Sequence, residues 1–188
     1  MTIEITGTDL KYTGWARFLV ATFRMADGRS IRREIEDHGS AACVLPYDPD
    51  RRTAMLVRQF RAPAFFIAQE HENLEAIAGI IEDEDPADCA RREAREEAGL
   101  ALDALEHVVT GWTMPGISTE RMHFYLARYR QADLVGNGGE ADNHEQVTPI
   151  EMALGELAGM AEAGRLADVK TLLLLQTLRL RQPQLFTG

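Results

Sequence analysis

Between residues 3 and 33 apolar and polar residues alternate, with Trp15, Phe18, Val20 and Thr22 in the repeat and Ala26-Asp27-Gly28 supplying a turn. A two-residue period is that of a half-buried strand, so this stretch predicts an antiparallel meander or hairpin. Two more strand-like runs, 41–47 and 53–60, flank Asp48-Pro49-Asp50-Arg51-Arg52, whose Pro and Asp residues favour a turn and therefore a second hairpin. Residues 107–112 and 121–129 give further strands around the loop Met114-Pro115-Gly116-Ile117-Ser118. A short apolar run over 147–151 precedes two helical patterns, 152–163 and 167–180. Residues 133–145, with Gly136-Asn137-Gly138-Gly139, read as a flexible acidic loop. That glycine cluster is no phosphate cradle, because no helix start follows it.

One helix has both ends written in the sequence, over residues 86–98. Asp85 can cap it, Pro86 suits a first position whose N–H would be unsatisfied, Asp88 faces the positive end, and Gly99 can take the left-handed stop. Ala90, Ala94 and Ala98 recur every four residues, a narrow stripe that lets the helix lie close to a sheet. On another face stand Glu93, Glu96 and Glu97, at i, i+3 and i+4. Like charges at that reach cost some tenths of a kcal/mol per pair unless a cation neutralises them. Carboxylates completed by water suit a hard ion such as Mg²⁺, with Mn²⁺ as the alternative, and such ions also bind phosphates.

Composition narrows the function classes. The chain has 188 residues, 30 Asp+Glu against 20 Lys+Arg, and a net charge of −10. That length buries a core without staples, and that charge disfavours non-specific nucleic-acid binding. No run of about 20 apolar residues is present to span a bilayer, and the first residues lack a leader pattern, so a cytoplasmic location is expected. Cys43 and Cys89, the only cysteines, lack metal-ligand spacing and read as buried reduced thiols. His38, His71, His107, His123 and His144 show no paired metal spacing and receive no chemistry. Only Lys11 and Lys170 are lysines, and Lys170-Thr171 is no phosphate loop, because Gly-x4-Gly does not precede it.

Taken together, Gly79-Ile80-Ile81-Glu82-Asp83-Glu84 and Arg92-Glu93-Ala94-Arg95-Glu96-Glu97-Ala98-Gly99-Leu100 resemble the Nudix box, Gly-x5-Glu-x7-Arg-Glu-U-x-Glu-Glu-x-Gly-U. A chance match of its Arg, three Glu and Gly has a probability on the order of one in a million per window. One departure stands out: four residues, not five, separate Gly79 from Glu84. The resemblance extends to Arg58-Gln59-Phe60-Arg61, Leu74-Glu75, Met114-Pro115-Gly116 with Thr119-Glu120, and Lys170-Thr171-Leu172-Leu173-Leu174. In these segments, and in the short box loop, the chain is most similar to the GDP-mannose pyrophosphatase branch, a relative of the ADP-ribose pyrophosphatases.

The resemblance implies an α/β fold, the Nudix α/β/α sandwich with a mixed sheet, preceded by an N-terminal antiparallel β meander. It divides the chain into residues 1–38, for dimerisation and the base pocket, and a hydrolase domain over 39–188. The implied activity is Mg²⁺-dependent hydrolysis of GDP-mannose to GMP and mannose 1-phosphate. ADP-ribose hydrolysis is the second enzyme reading, and a Nudix-fold binding module without catalysis is the third. Glu93, Glu97, Glu145 and the carbonyl of Ala78 are the implied metal ligands, and Glu96 and Arg92 complete the catalytic set, Arg92 by bonding carboxylates. Arg33, Glu34, Arg61, Glu75, Ala78, Gly79, Glu120 and Lys170 match substrate-binding positions. Trp15 is a candidate for stacking on the base, with packing as its alternative. A small nucleotide-sugar substrate and a homodimer follow from the same likeness, with no nucleic-acid or membrane partner.

Overall fold

The alternating N-terminal stretch forms three strands in the computed structural model, which describes residues 2–139 and 147–187. By compactness the chain divides into two units, Met1–Ala41 with Gly111–Met122, and Ala42–Thr110 with His123–Gly188.

In the first unit β1 (Glu4–Thr13), β2 (Arg17–Arg24) and β3 (Ser30–Asp37) form an antiparallel sheet in that order. The turn at Asp27-Gly28 is held by Asp27, whose carboxylate accepts the Arg29 N–H at 3.0 Å and the Arg29 Nε at 2.6 Å. Every residue of β1 is exposed, Ile5, Leu10 and Tyr12 among them. Residues 117–119 bond to the backbone of Glu36, through Glu36 N–H to Ile117 O at 2.9 Å and Thr119 N–H to Glu36 O at 3.0 Å.

The second unit is built on a mixed sheet ordered β10-β5-β4-β9-β8, from β4 (Ala41–Asp48), β5 (Thr53–Gln59), β8 (Leu105–Trp112), β9 (Arg121–Arg128) and β10 (Val147–Ala153). Two short strands the sequence pattern does not show are added: β6 (Asn73–Glu75) pairs with β5, and β7 (Ile77–Ile80) with β4. At three and four residues they are too short to display a period. A short helix α1 (Ala62–Ala68) follows β5; it buries no residue and its N-cap, Arg61, makes no side-chain cap bond, so its local start signal is Pro63 in the first turn alone.

Helix α2 (Pro86–Ala98) has the predicted bounds and the predicted caps: Asp85 accepts from Ala87 N–H at 2.9 Å, and Gly99 ends it with φ 65°. It packs on β7, β5 and β10. Its alanine stripe, Ala90, Ala94 and Ala98, is buried with Ala42, Val44, Met55, Val57 and Ile77. All eight residues of β4 are buried, so both faces of the sheet are covered, as a central strand of a layered fold requires. The predicted helix start at residue 152 is corrected. β10 runs on to Ala153, because it pairs with β5 from Val147 opposite Gln59 to Ala153 opposite Thr53, and α3 (Leu154–Glu162) begins only after that register is exhausted. Helix α4 (Val169–Arg181) starts after Asp168, whose side chain accepts from Thr171 N–H.

The expectation of a flexible loop is also corrected for its described part. Gly139 N–H donates to Glu97 O at 2.8 Å, and Val135 N–H to Gly99 O at 2.8 Å, so the segment is pinned to the end of α2. A Cβ at Gly138 would lie 2.4 Å from Glu97 O. Glycine is required at 138 because backbone meets backbone there.

Candidate catalytic site

The second unit contains two linked groups of charged side chains. In the first, Arg92 uses its whole guanidinium. Nε and Nη2 donate to Glu84 Oε1 at 3.1 and 2.9 Å, Nη1 to Glu93 Oε1 at 2.7 Å and to Glu96 Oε2 at 2.9 Å, and Nη2 also to Ile80 O at 3.3 Å. These charge-assisted bonds, with Glu84 foremost, hold Arg92 above its ordinary pKa against the effect of burial. The short box loop therefore still delivers Glu84 to Arg92.

The three helical glutamates divide. Glu93 and Glu97 are 9% and 5% exposed, whereas the Glu96 side chain is 41% exposed and is paired with Arg92. Glu97 accepts a hydrogen bond from the Ala78 N–H, yet its buried Oε2 has no hydrogen-bond partner among the described residues. Burial, then the charge of Glu93, push its carboxyl up to about 8. β7 passes so close to α2 that a Cβ on Gly79 would lie 1.7 Å from Glu93 Oε1. Only glycine admits that carboxylate.

A buried, orphaned carboxylate oxygen beside a second carboxylate fits a divalent cation. Among the described residues no three acidic, histidine or cysteine side chains form a cage by themselves. Glu93, Glu97 and the Ala78 carbonyl would leave positions to water and phosphate, as Mg²⁺ prefers. Glu145 lies outside the described residues.

The second group surrounds Glu75, which is 3% exposed. Arg61 grips it with Nε at 2.9 Å and Nη2 at 3.0 Å, and Lys170 Nζ donates to its Oε2 at 2.9 Å and to Asp168 Oδ1 at 2.8 Å. Burial opposes ionisation of Glu75, but Arg61 and Lys170 overcome it and hold the carboxyl below its ordinary value. Burial likewise opposes the Lys170 charge, and Glu75 and Asp168 raise its pKa in spite of it. Arg61, Glu75 and Lys170, widely separated in sequence, are thus brought together. Asp168 is the member that sequence reasoning missed; its signal is an N-cap Asp three residues before Thr171.

In the first unit Glu120 belongs to another cluster. His38 lies between Glu36 Oε1 at 2.6 Å and Glu120 Oε1 at 3.2 Å, Thr113 donates to Glu120, and Thr119 donates to Asp37 at 2.7 Å. Trp15, 71% exposed, stacks on the His38 ring with centroids 4.8 Å apart. Sequence reasoning left His38 without a role, because its partners come from two separate segments. Arg33 and Glu34, opposite Ala21 and Val20 on β2, are exposed. Both cysteines are free and buried as expected, and Cys89 Sγ faces the carbonyls of Gly79 and Ile80.

Comparison with known proteins bears on this arrangement. Residues 37–169 match the family model described as the NUDIX domain. The GDP-mannose pyrophosphatase of Cronobacter sakazakii is 37% identical over 158 residues, which cover 82% of each chain. That of Yersinia enterocolitica is 32% identical over 179 residues, 93% of each chain. A solved structure described as an ADP compounds hydrolase superposes with a TM-score of 0.78 over 98% of this chain and 96% of its own, at 16% identity, a likeness of fold.

Proposed function

This chain belongs to the Nudix family and is a Nudix hydrolase, and on that premise we propose that it hydrolyses the diphosphate of a nucleotide sugar, GDP-mannose to GMP and mannose 1-phosphate, with Mg²⁺ or Mn²⁺. The observation that carries the reading is the buried Glu97 Oε2, without a hydrogen-bond partner among the described residues, beside Glu93 on the box helix. The substrate choice draws on the relatives named above and on the short box loop.

In this reading Glu93, Glu97, Ala78 and Glu145 would hold the metal, whose chemistry when bound would be to polarise the diphosphate and activate a water for attack. Arg92 keeps Glu93 and Glu96 apart from each other's charge. Gly79 gives Glu93 room. Arg61 and Lys170 offer cationic donors to phosphate from a scaffold anchored on Glu75, where a guanidinium suits paired oxygens and an ammonium acts as a point charge. Arg33, Glu34 and Glu120 take the contacts to base and sugar that the resemblance assigns them.

The same reading makes the protein a homodimer that works in the cytoplasm. β1, with Ile5, Leu10 and Tyr12 exposed, is an uncovered strand with apolar side chains, of the kind that pairs with another chain. Two free buried thiols suit a reducing compartment. Among the described residues no helix is long and apolar enough to cross a membrane.

Incubation with Mg²⁺ and a panel holding GDP-mannose, other nucleotide sugars and ADP-ribose tests the reading. Release of GMP and mannose 1-phosphate at the highest kcat/KM is the expected result. Preference for ADP-ribose would move the assignment to the second reading, and inactivity on every member would leave the binding module.

A further inference from the structure

Between Glu75 and Ile77 the chain changes neighbours: β6 pairs with β5, and β7 with β4. Ala76, fully buried at this crossing, sends its N–H out of the ladder to Thr171 Oγ1 at 2.6 Å, a partner 95 residues away. Thr171 is itself fully buried. Its hydroxyl donates to Asp168 Oδ2 at 2.5 Å, and the same carboxylate oxygen accepts the Thr171 N–H at 3.0 Å. A hydroxyl has one proton to donate, so the Asp168 bond turns a lone pair toward Ala76 and leaves the rotor one setting.

What hangs from that crossing is the site. One residue before Ala76 stands Glu75, with Arg61 and Lys170 attached to its carboxylate. Two residues after it stands Ala78, whose N–H bonds to Glu97, and then Gly79, pressed against Glu93. The Thr171 hydroxyl therefore joins helix α4 to the backbone that leads into the strand facing the box helix, beside the Lys170–Glu75 ion pair.

We propose that Thr171, locked by Asp168, is a positioning residue: it fixes the β6–β7 crossing so that Ala78 and Gly79 meet the carboxylates of α2 in a metal-binding geometry. The hydroxyl is engaged by Asp168 and Ala76 and acts through the backbone. The inference rests on the metal-site reading above for its functional consequence. Threonine as mere core filling would be replaceable by valine, which has nearly the same shape but no hydroxyl.

The test compares Thr171→Val with Thr171→Ser in the full chain, reading Mn²⁺ binding by electron paramagnetic resonance of the free ion and turnover on the panel substrate the wild type prefers. Thr171→Val is expected to weaken Mn²⁺ binding and lower kcat about 10- to 100-fold, as loss of an outer-shell partner does, with KM changed less than about threefold. Thr171→Ser is expected to restore both. Asp168→Ala frees the same hydroxyl, removes a bond to Lys170 as well, and is expected to weaken Mn²⁺ binding likewise; if Thr171→Val does not fold, unchanged Mn²⁺ binding in Asp168→Ala still overturns the proposal. Wild-type Mn²⁺ binding in Thr171→Val or Asp168→Ala would overturn the proposal, as would equal losses in Thr171→Val and Thr171→Ser. A wild type that binds Mn²⁺ but hydrolyses nothing on the panel would sink the substrate reading and leave the Mn²⁺ comparison to decide this one.

Discussion

Arg92 holds Glu84 through both Nε and Nη2, at 3.1 and 2.9 Å, across a box loop one residue shorter than the usual motif. The fork geometry of a guanidinium explains why arginine stands here, since a lysine ammonium could not reach Glu84, Glu93 and Glu96 together. Arg92→Lys is expected to lower kcat/KM at least about tenfold and to lower stability by about 1–3 kcal/mol, because three carboxylates lose shared donors. Scanning calorimetry with and without Mg²⁺ checks this, and a variant that melts with the wild type in both conditions would refute it.

Glu97→Gln removes a buried charge while keeping the shape. In the metal-free protein the raised pKa, about 8, means that the carboxyl must ionise at a cost as the pH rises from its ordinary 4.5 toward that value. The wild type therefore loses stability over that window, and the glutamine variant does not. At about pH 9 in chelator the variant is expected to melt above the wild type, while added Mn²⁺ raises the melting temperature of the wild type alone and turnover is lost in the variant. A wild type with no melting response to Mn²⁺ would contradict this.

Gly79→Ala places a methyl where Glu93 Oε1 now lies, 1.7 Å from the new carbon. The Glu93 side chain must then leave its position. The expected outcome is a folded protein with Mn²⁺ affinity reduced about 10- to 100-fold. Titration of Mn²⁺ by calorimetry decides, and unchanged affinity would show that Glu93 does not ligate from its present position.

His38 gives the first unit a pH dependence. Burial pushes its pKa down, but the hydrogen bonds and charges of Glu36 and Glu120 outweigh this and raise it above 6.5. A raised folded pKa contributes stability that is complete below 6.5 and is lost as pH rises through the folded value. Thr113, bonded to Glu120, is uncharged, and Asp37 is engaged by Arg17 and Thr119. His38→Gln is expected to cost about 1 kcal/mol near pH 6 and almost nothing near pH 9. Melting curves across that range test it, and a cost independent of pH would exclude an imidazolium at this position.

The sequence carried what lies within one or two turns of chain. Asp85, Pro86 and Gly99 set the limits of α2, since caps act on backbone groups a few residues away. The i, i+3 and i+4 spacing put Glu93, Glu96 and Glu97 on one helix, and alternation marked the longer strands. It did not separate buried Glu93 and Glu97 from the partly exposed Glu96, because that depends on which face β7 approaches and on Arg92. Nor did it show β6 or β7, whose few residues are held by neighbouring strands rather than by their own pattern, or the short exposed helix α1. The bond from Ala76 to Thr171 joins positions 95 apart, and that from His38 to Glu120 positions 82 apart. Such contacts obey no local period; they exist only once strand pairing and helix packing have brought distant segments within hydrogen-bond reach.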